Sequence, residues 1–245
     1  MDITQDTIIG ELVAEDYRTA EVFKKYGIDF CCNGNRSIAN ACENSGGNAG
    51  QLLNDLSSVQ NNADKQVTNY QSWPLDLLAD YIEKKHHRYV EEKTPVLKQY
   101  LDKICNVHGS RHPELHKISE LFDITAGELA MHMKKEELML FPYIRRMVES
   151  HTRKTELRPA PFGSIQNPVN AMMGDHEAEG ERFRAMEELS NNYTPPADAC
   201  NTYKVTFALL KEFQEDLHLH IHLENNILFP KSIALEAELQ GHQIK

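Results

Sequence analysis

Long apolar runs and a basic, apolar leader are both missing from this sequence of 245 residues. No window reaches the roughly 18 to 20 consecutive apolar residues that cross a bilayer. The opening stretch, MDITQDTIIGELV, lacks the positively charged and apolar regions of a secretory signal. We therefore predict a cytoplasmic protein without a membrane-spanning segment.

Basic side chains are also scarce, since 26 lysines and arginines face 37 aspartates and glutamates, for a formal net charge of -11. A field of this sign repels phosphate backbones and anionic lipid surfaces. The composition thus predicts neither nucleic acid nor a membrane as a partner.

Cysteine is rare and scattered along the chain. The five cysteines are Cys31, Cys32, Cys42, Cys105 and Cys200. Their odd number and irregular spacing do not suit a disulfide framework, and they fit a reducing compartment.

Strand patterns are nearly absent after Trp73, where apolar residues recur with the period of a helix. Four long segments, at about 74–106, 112–149, 167–191 and 199–239, are separated by stretches with helix breakers. Long amphipathic helices joined by loops predict an all-α protein with an up-down four-helix bundle.

The residues before the bundle have a different character. Residues 1–60 contain the patterns of short helices, and the polar run SSVQNNADKQVTNYQS at 57–72 is typical of a linker. We therefore predict a small helical domain at 1–60, a linker at 61–73 and the bundle at 74–245.

An internal repeat carries the most specific chemistry. The stretches LAMHMKKEELMLFP (129–142) and LHLHIHLENNILFP (217–230) share L-x-x-H-x-x-x-E-x-x-x-L-F-P. On a helix the histidine, the glutamate and the leucines of this motif share one stripe, so they face the core. The predicted inward residues are His132, Glu136, His220 and Glu224. A lone pair of this kind is most often a surface pair, but buried carboxylates in two repeats need compensation, and a metal ion compensates both at once.

The other two long helices each offer an inward histidine. His87 lies on the apolar face of the first, although its neighbour His86, about 100° away around the helix, competes for the same role. His176 follows Val169 and Met172 on the apolar stripe of the third. Together with the repeat, these side chains predict a two-metal site with pseudo-twofold symmetry.

The type of ligand indicates the metal. Imidazole and carboxylate without thiolate favour iron or manganese, and bridging carboxylates suit a pair of ions. We expect two non-haem iron ions, with or without an oxo bridge. His218 and His222 share a different face from His220, and we expect them to flank or orient the ligands. The histidines in or near loops are expected to be solvated: His108, His112, His116, His151 and His242.

Adjacent cysteines stand in YGIDFCCNGNRS at 26–37. A disulfide between neighbours is strained and easily reduced, so we expect two thiols. Arg36 and the start of a helix near Ser37 are expected to lower a thiol pKa. Cys31 and Cys32 are therefore candidate redox or iron-transfer thiols, with small packing residues as the competing interpretation.

Four stretches of the sequence are specific enough to indicate a known protein family. They are KYGIDFCCNGNRSIANACE (25–43), MHMKKEELMLFP (131–142), GDHEAEG (174–180) and HLENNILFP (222–230). Through them nearly the whole chain resembles the iron-sulfur cluster repair di-iron (RIC) proteins of the YtfE and ScdA type. The resemblance implies a hemerythrin-like bundle with a non-haem di-iron centre. In that centre Glu136 and Glu224 would be bridges, and the terminal ligands would be His87, His132, His176 and His220.

The resemblance also implies a function, namely repair of clusters damaged by nitrosative or oxidative stress through donation of iron to damaged iron-sulfur proteins. One alternative is an enzyme that reduces nitric oxide to nitrous oxide at the di-iron centre. Another is a carrier or sensor of dioxygen or nitric oxide, which we rank last because an oxygen carrier needs no dithiol domain. A monomer and a homodimer are both compatible with the sequence.

Overall fold

The computed structural model describes residues 3–45, 48–60 and 68–242. Within this described part the regular elements are helical, and β-type pairing is confined to two isolated bridges. The prediction of an all-α protein is therefore confirmed. Residues 61–67, which belong to the predicted linker, lie outside the described residues.

The α-helices in the first 60 residues are short, and those from Arg88 onward are longer. They are α1 (Ile9–Glu15), α2 (Thr19–Lys25), α3 (Ile38–Ser45), α4 (Ala49–Gln60), α5 (Leu75–Tyr81), α6 (Arg88–His108), α7 (Glu114–Lys135), α8 (Phe141–Arg153), α9 (Gln166–Leu189), α10 (Asn201–Leu223) and α11 (Phe229–His242). None of the described helices has both the length and the apolarity that a bilayer crossing requires.

Contacts between residues divide the chain into two compact units. The first comprises Met1–Leu78 and Ile221–Lys245, and the second comprises Ala79–His220. The predicted domain limits, at 1–60 and 74–245, stay a prediction.

The first unit is built on short amphipathic helices. α2 and α3 both pack on α4, and α1 contacts the segment Glu224–Leu228. The side chains of Leu12, Phe23 and Ile38 are fully buried. Burial of each such side chain stabilises the fold by about 1.5 to 3 kcal/mol.

The second unit is a four-helix bundle formed by α6, by α7 continued into α8, by α9, and by α10 as far as His220. α6 packs on α7, and α7 packs on α9. Phe213 of α10 contacts Phe122 of α7 and Phe183 of α9, with ring centroids 5.4 and 5.9 Å apart. Because all three rings are buried, they join three helices around one apolar core. The predicted bundle is confirmed.

Among the residues that the structure describes, three segments of π-helix interrupt the helices, at Ile82–His87, Glu136–Leu140 and Glu224–Leu228. The last two occupy equivalent positions in the sequence repeat, shortly before Pro142 and Pro230. A proline inside a helix lacks the N–H and clashes with the carbonyl four residues earlier, and a wider turn before it relieves both problems. Helical periodicity alone predicts uninterrupted helices here, although the repeated proline signals the interruption.

Candidate metal centre

Glu136 lies between two imidazoles in the interior of the bundle. His87 Nε2 is 3.4 Å from Glu136 Oε2, and His132 Nε2 is 3.2 Å from the same oxygen. All three side chains are at least 97% buried. A carboxylate in this position keeps its charge only beside protonated imidazoles or a bound cation.

Two further histidines complete the cluster in the second unit. His176 Nε2 lies 3.2 Å from His132 Nε2. One donor atom each of His87, Glu136 and His220 lie within 4.8 Å of one another. The structure therefore brings together all five residues that the sequence predicts as ligands in this part of the chain.

The donor set fits a metal ion. Two imidazole nitrogens that bind one cation at about 2.0 to 2.1 Å lie about 3.0 to 3.4 Å apart, and the Nε2 atoms of His132 and His176 are 3.2 Å apart. Imidazole and carboxylate together are donors that iron and manganese accept. The cluster thus has both the spacing and the chemistry of a cation site.

Glu224 repeats the local environment of Glu136. It is fully buried and opens the π-turn Glu224–Leu228, as Glu136 opens the π-turn Glu136–Leu140. It follows His220 by one helical turn, on the same stripe of the helix. Glu224 is therefore a buried carboxylate, as the sequence predicts.

Carboxylates hold the outer nitrogens of two of these imidazoles. His87 Nδ1 lies 3.1 Å from Glu137 Oε1, and His132 Nδ1 lies 3.3 Å from Asp175 Oδ2. A carboxylate that accepts the Nδ1 proton leaves the lone pair on Nε2, which points into the cluster. Sequence reasoning missed Glu137 and Asp175, although each stands next to a predicted ligand in the chain.

Hydrogen bonds from histidines and lysines keep these outer carboxylates ionised. The hydrogen bond from His132 lowers the pKa of Asp175 to about 2 against the effect of burial, and Lys135 adds to this shift. Burial raises the pKa of Glu137, but hydrogen bonds from Lys134 and His87 outweigh it, so that the pKa is lowered. Both groups therefore remain acceptors well below neutral pH.

His86 and His87 point in different directions although both are fully buried. His87 faces Glu136, whereas His86 Nδ1 lies 3.0 Å from Asp216 Oδ2. The His86 ring also stacks on the ring of His220, with centroids 5.6 Å apart. The structure thus places His87 in the cluster and His86 on its flank.

The two other histidines of α10, His218 and His222, differ in their surroundings. His218 is half-buried, whereas His222 lies in the interior of the first unit. There it contacts the rings of Tyr17 and Phe30, and Asn226 Nδ2 lies 2.9 Å from its Nδ1. Burial lowers the pKa of His222 to about 3. His222 is thus a neutral packing residue of that unit.

The predicted solvation of the loop histidines is wrong for His108. Its side chain is buried, with Nε2 3.2 Å from Cys200 Sγ. His112 is half-buried, and its two nitrogens lie near Glu114 and Asp198. His116 and His151 are exposed as predicted, and the side chain of His242 lies outside the described residues.

All five cysteines lie in the described part of the chain, and none of them forms a disulfide. Cys31 is buried and Cys32 half-buried, with their sulfur atoms 3.7 Å apart. The predicted lowering of the thiol pKa is wrong for Cys31, because its hydrogen bond with Cys32 and its burial raise the pKa. Arg36 Nε donates to the carbonyl of Asn33 at 3.1 Å.

Comparisons with known proteins match both parts of the chain. Residues 5–60 match the ScdA_N family, a Domain of Unknown function (DUF542), and residues 78–232 match the Hemerythrin HHE cation binding domain. The iron-sulfur cluster repair protein ScdA of Staphylococcus haemolyticus is 30% identical over 229 residues, which cover 94% of this chain and 99% of the relative.

Relatives from two further genera show the same extent of likeness. The iron-sulfur cluster repair protein YtfE of Musicola paradisiaca is 30% identical over 94% of this chain and 97% of the relative. The YtfE protein of Yersinia pestis is 30% identical over 92% of this chain and 96% of the relative. The likeness therefore spans both matched regions.

Proposed function

This chain belongs to the family of iron-sulfur cluster repair proteins of the ScdA and YtfE type, with a hemerythrin-like cation-binding domain, and we propose that it repairs damaged clusters by donating iron. The observation that supports this proposal best is a buried cluster in which His87, His132 and His220 surround Glu136, and His176 lies against His132. The clients are iron-sulfur proteins whose clusters have lost iron under nitrosative or oxidative stress, and the site of action is the cytoplasm.

The proposed centre holds two iron ions. Glu136 and Glu224 are the bridging carboxylates, and the terminal ligands are His87, His132, His176 and His220. The equivalence of Glu136 and Glu224 in the repeat, in burial and in their π-turns supports the assignment of both as bridges. Bound iron supplies a redox-active Lewis acid that also takes nitric oxide or dioxygen as a small ligand.

The protein's own residues favour a site that both binds iron and releases it. Glu137 and Asp175 accept the Nδ1 protons of His87 and His132 and so orient two ligands from outside. The Asp175 side chain is 39% exposed, so protons reach this outer layer from solvent. Protonation of a bridging carboxylate or of an imidazole weakens iron binding without dismantling the helices.

Cluster recovery tests the proposal. The iron-loaded protein is incubated anaerobically with a client whose cluster has been damaged by nitric oxide, and client activity and transferred iron are measured. We expect recovery in step with iron lost from the loaded protein, unchanged in His151→Ala and abolished in Glu136→Ala. Equal recovery with iron-free protein would overturn the proposal, and multiple turnover of nitric oxide to nitrous oxide without iron loss would replace it.

A further inference from the structure

Three potential metal ligands converge in the loop between α2 and α3, in the first unit. One donor atom each of Asp29, Cys31 and Cys32 lie within 4.8 Å of one another. The two sulfur atoms are 3.7 Å apart, and Cys31 Sγ lies 3.4 Å from Asp29 Oδ1. We call these three residues the thiol-carboxylate triad.

The spacing of the triad is that of ligands around one ion. A tetrahedral ion with metal–sulfur bonds of about 2.3 Å holds two sulfurs about 3.8 Å apart, and a sulfur and a carboxylate oxygen about 3.5 Å apart. The observed separations are 3.7 and 3.4 Å. Side chains of neighbouring residues diverge in regular helices and strands, so this irregular loop is what brings Cys31 and Cys32 together.

Hydrogen bonds hold the triad in place before any ion binds. Asp29 Oδ1 accepts the backbone N–H groups of Cys31 and Cys32 at 3.1 and 3.0 Å. Asn33 Nδ2 donates to Asp29 Oδ2 at 2.9 Å. Metal ligands in proteins are oriented by hydrogen bonds of this kind.

The last helix anchors the same loop within the first unit. Asn225 Nδ2 donates to the carbonyl of Cys31 at 3.1 Å, and Asn226 Nδ2 donates to the carbonyl of Phe30 at 3.2 Å. Asn225 follows Glu224 directly in the chain. The triad is therefore attached to the turn that carries a proposed iron ligand.

Exposure and chemistry indicate what the triad would bind. Cys31 is buried, whereas Asp29 and Cys32 are half-buried, so three protein donors leave a side open for exchange. Thiolates select zinc, copper(I) and iron over magnesium and calcium. Binding of a divalent ion forms two metal–sulfur bonds and releases the two thiol protons to solvent, with no change of oxidation state.

We propose that Asp29, Cys31 and Cys32 form a second metal site, which takes a single ferrous ion on its way to a client. The choice of iron as the ion rests on the proposed repair function. The existence of the site rests only on the triad itself.

Cobalt(II) is the probe that separates this site from the bundle. Thiolate coordination gives cobalt a charge-transfer absorption that imidazole and carboxylate ligands do not. The full-length protein, reduced and with its bundle already loaded with iron, is titrated anaerobically with Co2+. We expect this absorption to saturate at one equivalent and to vanish in the Cys31→Ser, Cys32→Ser double variant.

Two single variants sharpen the test. Asp29→Asn keeps an oxygen that accepts the backbone N–H groups but loses the charge, so we expect at least a roughly tenfold weaker cobalt affinity. Cys42→Ser changes a buried cysteine of the same unit outside the triad, and we expect its titration to match the parent. Bundle iron content and helical circular dichroism establish that each variant is folded.

The absorption in the folded double variant, or its absence in the parent protein, would overturn the second site. If the double variant does not fold, an unchanged affinity in Asp29→Asn overturns it instead. A protein that restores clusters but shows no thiolate absorption refutes only the second site. One that shows the absorption but restores no clusters refutes the proposed function.

Discussion

Asn225 donates its side-chain N–H to the backbone carbonyl of Cys31 over 3.1 Å, which joins the cysteine loop to the residue after Glu224. The two residues lie far apart in the sequence and in the same compact unit. The hydrogen bond connects the stretch that contains the adjacent cysteines to the second copy of the histidine-glutamate repeat.

Removal of this hydrogen bond should loosen the cysteine loop. We expect Asn225→Ala to lower the free energy of unfolding by about 0.5 to 1.5 kcal/mol, measured by urea denaturation. Asn106→Ala is the matched control because Asn106 is exposed on α6, and we expect it to stay within about 0.5 kcal/mol of the parent. Equal destabilisation by both changes would contradict the role of Asn225.

The bridging role of the glutamates predicts their effect on metal content. We expect Glu136→Ala and Glu224→Ala each to lower bound iron sharply from two ions per chain, measured by metal analysis after purification without added metal. The exposed His151→Ala should retain the parent content. Two irons per chain in both glutamate variants would refute the assignment of bridges.

Adjacent His86 and His87 predict opposite results for the same substitution. His87→Gln should reduce iron content, because its Nε2 lies 3.4 Å from Glu136. His86→Gln should keep the iron, because His86 pairs with Asp216 on the flank of the cluster. The reverse order of iron contents would assign the ligand to His86 instead.

Asp175 should act on iron through His132. We expect Asp175→Asn to weaken iron affinity by about 10- to 100-fold, measured by competition with a chelator, while Glu177→Gln, at an exposed neighbouring position, leaves it unchanged. The pKa of Asp175 is lowered to about 2, so its carboxylate is charged throughout the range above its ordinary pKa. The contribution of this charge to iron affinity is lost only as the pH falls through 2. The Asp175→Asn effect should therefore be constant between pH 6 and 8, since about two pH units or more separate this range from the carboxylate titration.

Substitution of alanine for each of two glycines should change the stability of the protein in opposite directions. A Cβ at Gly34 would lie 2.4 Å from the carbonyl oxygen of Phe30 and 2.7 Å from Asn226 Oδ1. We expect Gly34→Ala to destabilise the protein by about 1 to 3 kcal/mol. Gly127 lies inside α7 with open space around it, so Gly127→Ala should stabilise by up to about 1 kcal/mol. Thermal denaturation of both variants checks the pair of signs.

Much of the candidate site could be predicted because the helical period decides which residues share a face. Leucines on the same stripe as His132 and Glu136 indicate an inward direction, and the structure places both residues in the interior. The repeat gave the same result for His220 and Glu224. Their service as iron ligands is a proposal that metal analysis tests.

Other features could not be predicted because they depend on contacts between distant segments. Asp175 reaches His132 from another helix, and His222 is buried by Tyr17 and Phe30 from the start of the chain. The raised pKa of Cys31 comes from its hydrogen bond with the neighbouring Cys32 and from its burial, and helical periodicity predicts neither.

The sequence by itself determined the helical class, the repeat and the inward direction of the histidines and glutamates, because these follow from a period of 3.6 residues within single helices. Only the tertiary structure decided which carboxylates orient the imidazoles and how the cysteines are spaced. The pairs of carboxylate and imidazole require segments far apart in the chain to meet, and the cysteine spacing depends on a loop that has no regular period. Local periodicity carries no information about either.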